Sequence, residues 1–457
     1  MNKYKEYLQS EKEFAGMVNN IAKLCSIPSI SIYKKDTIYP YGESVDKALN
    51  FTLNLAKSFG FRVYKDPANH YGFAQIGYSE KIIGILVHLD VVPAGDESKW
   101  VSSAFNPIIK DGELFGRGSL DDKGPAIINL YAMKYILDNN LLNENWSIRI
   151  IFGLSEETNM HSMKCYLHDF GAPYISYTPD GVWPLIYAEK MIYHVNLWFP
   201  KIDDLTLNGG EVINQIPELL NIKYSKLHKL YAYLNKGDFS YQNESETLIL
   251  TGKSGHASEP SKGENVIIKF FKALVASDSD MRHYPIVKFI AENFSDGNFN
   301  LPKVFANCED FSGKLTANIG MIKTTAENYV LSIDMRVPVT YDISQMSDGL
   351  NKYLSKLNHK IAIEYLAHKP SKLIAKDHKL VKLLMQTYND VTDSKAEPIA
   401  IGGGTYARLI DTCVAFGSTR FMNMMHGTNE RFTYSEMKEA LEIYINALIK
   451  LQEYDNL

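Results

Sequence analysis

The sequence predicts an α/β protein of two parts. The larger, split along the chain, is built on a mixed, largely parallel sheet flanked by helices, and a smaller α+β domain is inserted into it. Three observations carry this reading. Strand and helix signals alternate through roughly the first 190 residues, the pattern turns to locally paired strands with few helices near residue 190, and it returns to helix after Pro370. Strands separated by helices imply a parallel sheet covered on both faces, whereas runs of neighbouring strands imply α+β. The expected division is 1–189 and 370–457 for the discontinuous domain and 190–369 for the insert.

The elements follow in order. SVDKALNFTLNLAKSF at 44–59 carries apolar residues at helical spacing, and Ile82–Leu86 is a short apolar strand running up to His88. A Gly-Pro start opens the helical run Ala126–Leu137, and a β-branched strand follows at 147–153. Parallel sheets of this kind place ligands at the carboxyl ends of their strands. His88 and the pair Glu156–Glu157 stand at such ends. The insert supplies YHVNLWF, ETLILTG, KLTANIGMI, NYVLSIDMRV and IAIEYLA as strands, with helices at 264–276 and 342–357. A helix at 377–388, a Gly-rich turn, a strand and a terminal helix at 434–452 complete the first domain.

Composition narrows the function classes. A 457-residue chain with 45% hydrophobic and 22% charged residues has material for about two or three globular domains. The net charge is −5 with both signs interspersed, which speaks against a nucleic-acid partner. No apolar run approaches the roughly 18–20 residues of a membrane span. The polar, helix-prone start MNKYKEYLQSEKEFAG has no signal-peptide core. Cys25, Cys165, Cys308 and Cys413 lie far apart without CxxC spacing, which speaks against a disulfide framework or a thiolate zinc site and for a reducing cytoplasm.

GxSxG and HExxH are both absent, and Gly-Lys-Ser at 252–254 lacks the upstream glycine of a phosphate loop. What remains is a scatter of His and carboxylates. In HLD, His88 and Asp90 share a face if extended, so Asp90 could hold the second nitrogen of a metal-binding His88; a strand cap and a turn aspartate read equally well. In GRGSLDDKGP, Asp121 or Asp122 could cap the following helix, or one carboxylate could bridge two divalent ions. Neighbouring Glu156 and Glu157 point opposite ways on an extended segment, which suits two roles, or they begin a solvated loop. Asp180 in SYTPDG has the look of an ordinary turn. His161, His168, His228, His283 and His359 sit in polar surroundings and read as background. His426 in MMHGTNE follows a short strand-like run and the Gly-rich IGGGTYAR.

These pieces add up to one site. Two divalent ions carry four positive charges; Asp121, Glu157 and Asp180 offset three, and a bridging hydroxide offsets the fourth. His88 and His426 supply one nitrogen ligand to each ion. Metal binding lowers the pKa of water towards ~7, and a nearby free carboxylate would take its proton.

The ordered set HLDVVPAGD, GRGSLDDKGP, the Glu pair, SYTPDG, GKSGHASEP, IDMRVP, GGGTYAR and MHGTNE resembles the co-catalytic dinuclear metallopeptidase family. That family includes aminoacylases, carnosinases, tripeptidases, desuccinylases and bacterial dipeptidases. The likeness runs nearly end to end and is strongest to the peptidase V type of cytoplasmic bacterial dipeptidase. It implies that His88 and Asp180 bind one metal, Glu157 and His426 the other, and that Asp121 bridges them. It implies further that Asp90 orients His88, that Glu156 is the general base, and that the Asp121–Asp122 bond is cis. The insert becomes a ferredoxin-like lid over a catalytic domain. His256 would stabilise the tetrahedral oxyanion, Asn214 and Arg336 would contact substrate, and the turn Gly403, Gly404, Thr405 would receive its terminal carboxylate.

Zinc is the expected metal, with manganese or cobalt able to serve. A small peptide is the expected partner, and the insert, longer than that of dimeric relatives, implies a monomer rather than a dimer joined through the lid. Two positions depart from the family: Ser155 precedes the Glu pair where relatives often carry an acid, and Gly-Thr-Asn follows His426 in place of a Gln-containing run. Two rivals share the motifs: deacylation of an N-acyl amino acid at the same centre, and an inactive metal- or peptide-binding relative.

Overall fold

The computed structural model describes residues 11–235, 239–294, 297, 299–357, 360–421 and 424–456. His359 lies outside the described residues. The chain forms two units. One comprises 1–187, 374–399 and 405–457; the other comprises 188–373 with 400–404. The return of 400–404 to the second unit is invisible in the sequence, because contiguity along the chain says nothing of a five-residue excursion.

In the first unit the strands Ser147–Gly153, Ile82–His88, Ile175–Thr178 and Cys413–Ala415 lie side by side and parallel. Antiparallel neighbours flank them: Gly72–Ile76, with Arg62–Lys65 beyond it, on one side and Ile186–Glu189 on the other. The sheet is therefore mixed, with a parallel centre. Its central strands are buried except at Ile82, which is why Ile82–His88 reads as an apolar run rather than an alternating one. The helix Lys123–Asp138 is apolar nearly all round because it packs on the Ile82–His88 and Ser147–Gly153 strands while Glu11–Cys25 and Tyr434–Leu451 pack on it. Phe73, Leu86 and Ile151 join a core cluster with Met163 and Tyr166 of the helix His161–Phe170, an element the sequence reading did not anticipate.

The second unit is an eight-stranded antiparallel sheet in the order Ser240–Glu244, Thr247–Thr251, Leu219–Tyr224, Leu205–Gly209, Thr316–Thr324, Asn328–Val337, Met191–Pro200 and Ala362–Lys369. One face is covered, so Val195, Leu197 and Phe199 are buried while His194, Asn196 and Trp198 between them are half-buried. The helices Val266–Ser277, Pro285–Asn293 and Ile343–Leu354 contribute to its single core. The sheet is wider than the four strands of a ferredoxin-like βαββαβ unit. No helix among the described residues is long and apolar enough to cross a membrane.

Candidate metal centre

His88 ends the central strand Ile82–His88, and its ring is fully buried. Its Nδ1–H donates to the Asp90 carbonyl oxygen at 2.9 Å, which leaves the Nε2 lone pair pointing the other way. Nε2 faces Asp121 Oδ1 at 2.9 Å and Asp180 Oδ2 at 3.7 Å. On the other side of Asp121, His426 Nε2 lies 2.9 Å from Oδ2 and 3.1 Å from Glu157 Oε1. The Asp121 carboxylate thus gives one oxygen to each of two groups, His88–Asp121–Asp180 and Asp121–Glu157–His426, whose ligand atoms converge within 4.8 Å.

The donor chemistry fits two cations. His88 Nε2 and Asp121 Oδ1 are buried and face each other without completing a hydrogen bond. A lone pair aimed at carboxylates is stable only with positive charge between them. The electrostatics tell the same story. Burial alone would depress the His88 imidazole, but Asp121, Asp180 and Asp90 hold it well above its ordinary value. Partial desolvation works against His426, whose side chain is still exposed, and Glu157 with Asp121 raises it. Burial should raise Asp121, yet His426 and His88 hold it far below the usual carboxylate range. Burial, with Asp121 beside it, pushes Asp180 well up. Protons here stand where cations would.

The surroundings explain how the chain holds so many charges. The Asp121–Asp122 peptide is cis. Asp122 precedes the helix Lys123–Asp138 but makes no side-chain cap; its Oδ2 accepts instead from the His88 backbone N–H at 3.1 Å. The helix-capping reading of these aspartates therefore falls. The sequence reading assigned the Asp90 carboxylate to His88. In the structure Asp90 Oδ1 is 3.6 Å from the ring, and the two oxygens accept the N–H groups of Glu156 and Glu157 at 3.1 Å each. Its backbone carbonyl orients His88, while its side chain fixes the Glu pair. Burial pushes the Asp90 carboxyl up to about 6.

Two residues escaped the sequence reading although both lie inside quoted motifs. Glu430 is fully buried and accepts from the backbone N–H groups of Gly118, Leu120 and Asp121 and from Arg117 Nη1 at 2.8 Å. Arg117 Nη2 in turn donates to the carbonyls of Pro93 and His426. His426, with φ +62°, is one of the few non-glycine residues in the left-handed region, and Arg117 holds its carbonyl there. A fixed arginine within a Gly-rich turn and a glutamate four residues after His426 were the available signals.

The remaining predicted residues belong to other segments of the chain. Thr405, in the first unit, caps a short 3-10 turn by accepting from Ala407 N–H. In the second unit, Gly255–His256 pairs with Gln215–Ile216, placing exposed Asn214 and His256 on one small ribbon. Ser258 N–H donates to His256 Nδ1 at 3.1 Å and Ser258 Oγ lies 2.7 Å from the same nitrogen, an arrangement that favours the Nε2–H tautomer. Arg336, expected to contact substrate, has its guanidinium engaged within the second unit. It is buried, its guanidinium donates twice to Asp334 at 2.6 and 2.8 Å, and Nη1 donates to the Gly402 carbonyl. It braces the turn that leads into Gly403 and Gly404.

Comparisons with known proteins place this geometry. The model of "Peptidase family M20/M25/M40" matches residues 84–450. The Bacillus subtilis protein named "Putative dipeptidase YtjP" is 31% identical over 436 residues, covering 90% of this chain and 92% of that one. A Staphylococcus aureus chain of the same description is 29% identical, covering 98% and 99%. Among solved structures, human carnosine dipeptidase 1 superposes with a TM-score of 0.62 at 13% identity, over 98% of both chains. The yeast di-peptidase Dug1p gives 0.60 at 14%, again over 98% of each. At those identities the structural likeness speaks for the fold, a catalytic domain with a lid domain. With the family model spanning most of the chain, including every residue of the two converging groups, the chain belongs to peptidase family M20/M25/M40 and is an enzyme of the metallopeptidase class.

Proposed function

We propose that this enzyme is a dipeptidase that works at a pair of divalent cations held by His88, Asp121, Asp180, Glu157 and His426. The observation that carries the reading is the division of Asp121 between two His–carboxylate pairs. Two divalent cations so held would polarise the scissile carbonyl and lower the pKa of a water molecule towards ~7. His88 and Asp180 serve one position, Glu157 and His426 the other. Zinc suits this nitrogen and oxygen set, and manganese or cobalt would serve.

The chain's own residues supply the rest. Glu156, its backbone fixed by Asp90, accepts the proton of the attacking water and delivers it to the leaving amine. His256, protonated on Nε2 because Ser258 occupies Nδ1, donates to the oxyanion. Asn214 and the Gly403–Thr405 turn contact the substrate, and its terminal carboxylate falls to the backbone N–H groups of that turn. We take the enzyme to be cytoplasmic and to act as a monomer.

The test is hydrolysis of a panel of α-dipeptides, β-alanyl dipeptides, tripeptides and N-acyl amino acids with zinc or manganese supplied. Turnover of free-amine dipeptides above the other classes is expected. Preference for N-acyl amino acids would replace the reading by a deacylase, and metal binding without any turnover would make the chain a binding relative.

A further inference from the structure

A second group of metal-binding side chains converges in the first unit, and none belongs to the centre described above. His161 and Cys165 are four residues apart on the helix His161–Phe170 and so share one face. His70 comes from the turn before the Gly72–Ile76 strand. One ligand atom from each, two imidazole nitrogens and the sulfur, lie within 4.8 Å of one another. Cys165 Sγ is 3.8 Å from His161 Nδ1 and 3.9 Å from Nε2. A tetrahedral zinc with Zn–S of about 2.3 Å and Zn–N of about 2.05 Å sets sulfur and nitrogen about 3.6 Å apart, close to these separations, and a turn of the imidazole would aim one of its lone pairs at a shared cation.

The surroundings favour a cation. The Tyr41 hydroxyl lies 2.7 Å from His161 Nδ1 and 3.3 Å from His70 Nδ1, next to both rings. Tyr33 packs on the His161 ring with centroids 4.5 Å apart, limiting its movement. The carboxylates of Asp169 and Asp66 lie near Cys165 and would draw a cation in.

We propose that His70, His161 and Cys165 form a separate binding site for a soft divalent cation, zinc above all. Cys165 binds as thiolate, its proton passing to solvent, and both imidazoles bind neutral. Three protein ligands leave a fourth position for water or the Tyr41 oxygen. Thiolate with two imidazoles selects zinc over magnesium, calcium or manganese.

The site also has a mechanical reach. Ser162 Oγ donates to the His70 carbonyl at 2.6 Å and accepts from Leu154 N–H at 2.8 Å, while Ser162 N–H donates to Ser155 Oγ. A cation that ties His70 to His161 therefore braces the segment running into Glu156. Ser155 is part of that brace. The site itself stands whether or not the dipeptidase reading does.

Cobalt titration of the full chain under reducing conditions tests it, followed by absorbance and elemental analysis. A thiolate-to-cobalt charge-transfer band in the near ultraviolet is expected, which the oxygen and nitrogen ligands around Asp121 cannot produce. Cys165→Ser and His70→Gln should each lose that band and bind one cobalt fewer per chain while keeping the visible bands of the other centre. Absence of the band in the unaltered protein at saturating cobalt overturns the proposal, and so does its survival in Cys165→Ser. The first of these outcomes does not depend on either variant folding.

Discussion

Asp121 and the two adjacent glutamates share out work that the sequence alone leaves ambiguous. The extended segment expected at the Glu pair is a turn that follows the Ser147–Gly153 strand; from it Glu157 reaches His426 while Glu156, buried, is held through its backbone by Asp90. Glu156→Ala should therefore keep both metals and lose the ~10²–10⁴ in kcat expected of a general base. Glu157→Ala should instead lower metal content in elemental analysis. Near-normal turnover of the first variant, or full occupancy of the second, would reverse the assignment. At this scale the residue types were readable, because His and carboxylates at strand ends are few and their charges must balance. Which atom of a residue acts was not. Asp90 uses its carbonyl on His88 and its carboxylate on the Glu pair, and Arg336 turns to Asp334, because hydrogen-bond direction depends on orientations that spacing does not encode.

At the scale of elements, the turn 116–122 is shaped from outside itself. Glu430 gathers three of its N–H groups and the Arg117 guanidinium, all buried. Glu430→Ala would leave Arg117 as an uncompensated buried charge, and unfolding by denaturant should show a loss of about 3–5 kcal/mol. A second element-scale device lies in the other unit, where Asp334 and His194 face each other in register across the Asn328–Val337 and Met191–Pro200 strands. Against burial, which alone would raise it, Arg336 and His194 hold the Asp334 carboxyl at about 2. A carboxyl lower in the folded than in the unfolded chain stabilises above its unfolded value near 3.8, and that contribution fades as pH falls towards 2. Stability curves against pH should show a loss on the order of 2 kcal/mol in that window, absent in Asp334→Asn. The parallel centre of the sheet was legible from apolar runs alternating with helices. The helix His161–Phe170 was not, since its apolar face is short and interrupted by polar residues.

Across the whole molecule, the cation-demanding geometry makes stability depend on metal. Chelation leaves two imidazoles and three carboxylates facing one another, to be neutralised only by protons. At a free metal concentration of about a thousand Kd, binding adds about 4 kcal/mol to the folded state. Calorimetry should thus show the melting temperature falling by several degrees with chelator and recovering when zinc is returned; an unchanged transition would argue against a resident metal. The ordered motifs announced the family because they span nearly the whole chain. The segment 400–404 did not announce its place, since five residues carry too little pattern to reveal which unit they join.

The partnership of Arg117 with Glu430 and of Asp121 with His426 bears on the order in which the protein is made. The ribosome delivers His88, Asp121, Glu157 and Asp180 first, together with the sheet that carries them. The His426 ligand and the glutamate that shapes the Asp121 turn arrive only after some 250 further residues have been synthesised. On the two-cation reading proposed above, a nascent chain halted before residue 426 would hold at most the His88–Asp121–Asp180 group, and its Asp121 turn would lack the carboxylate of Glu430 that shapes it.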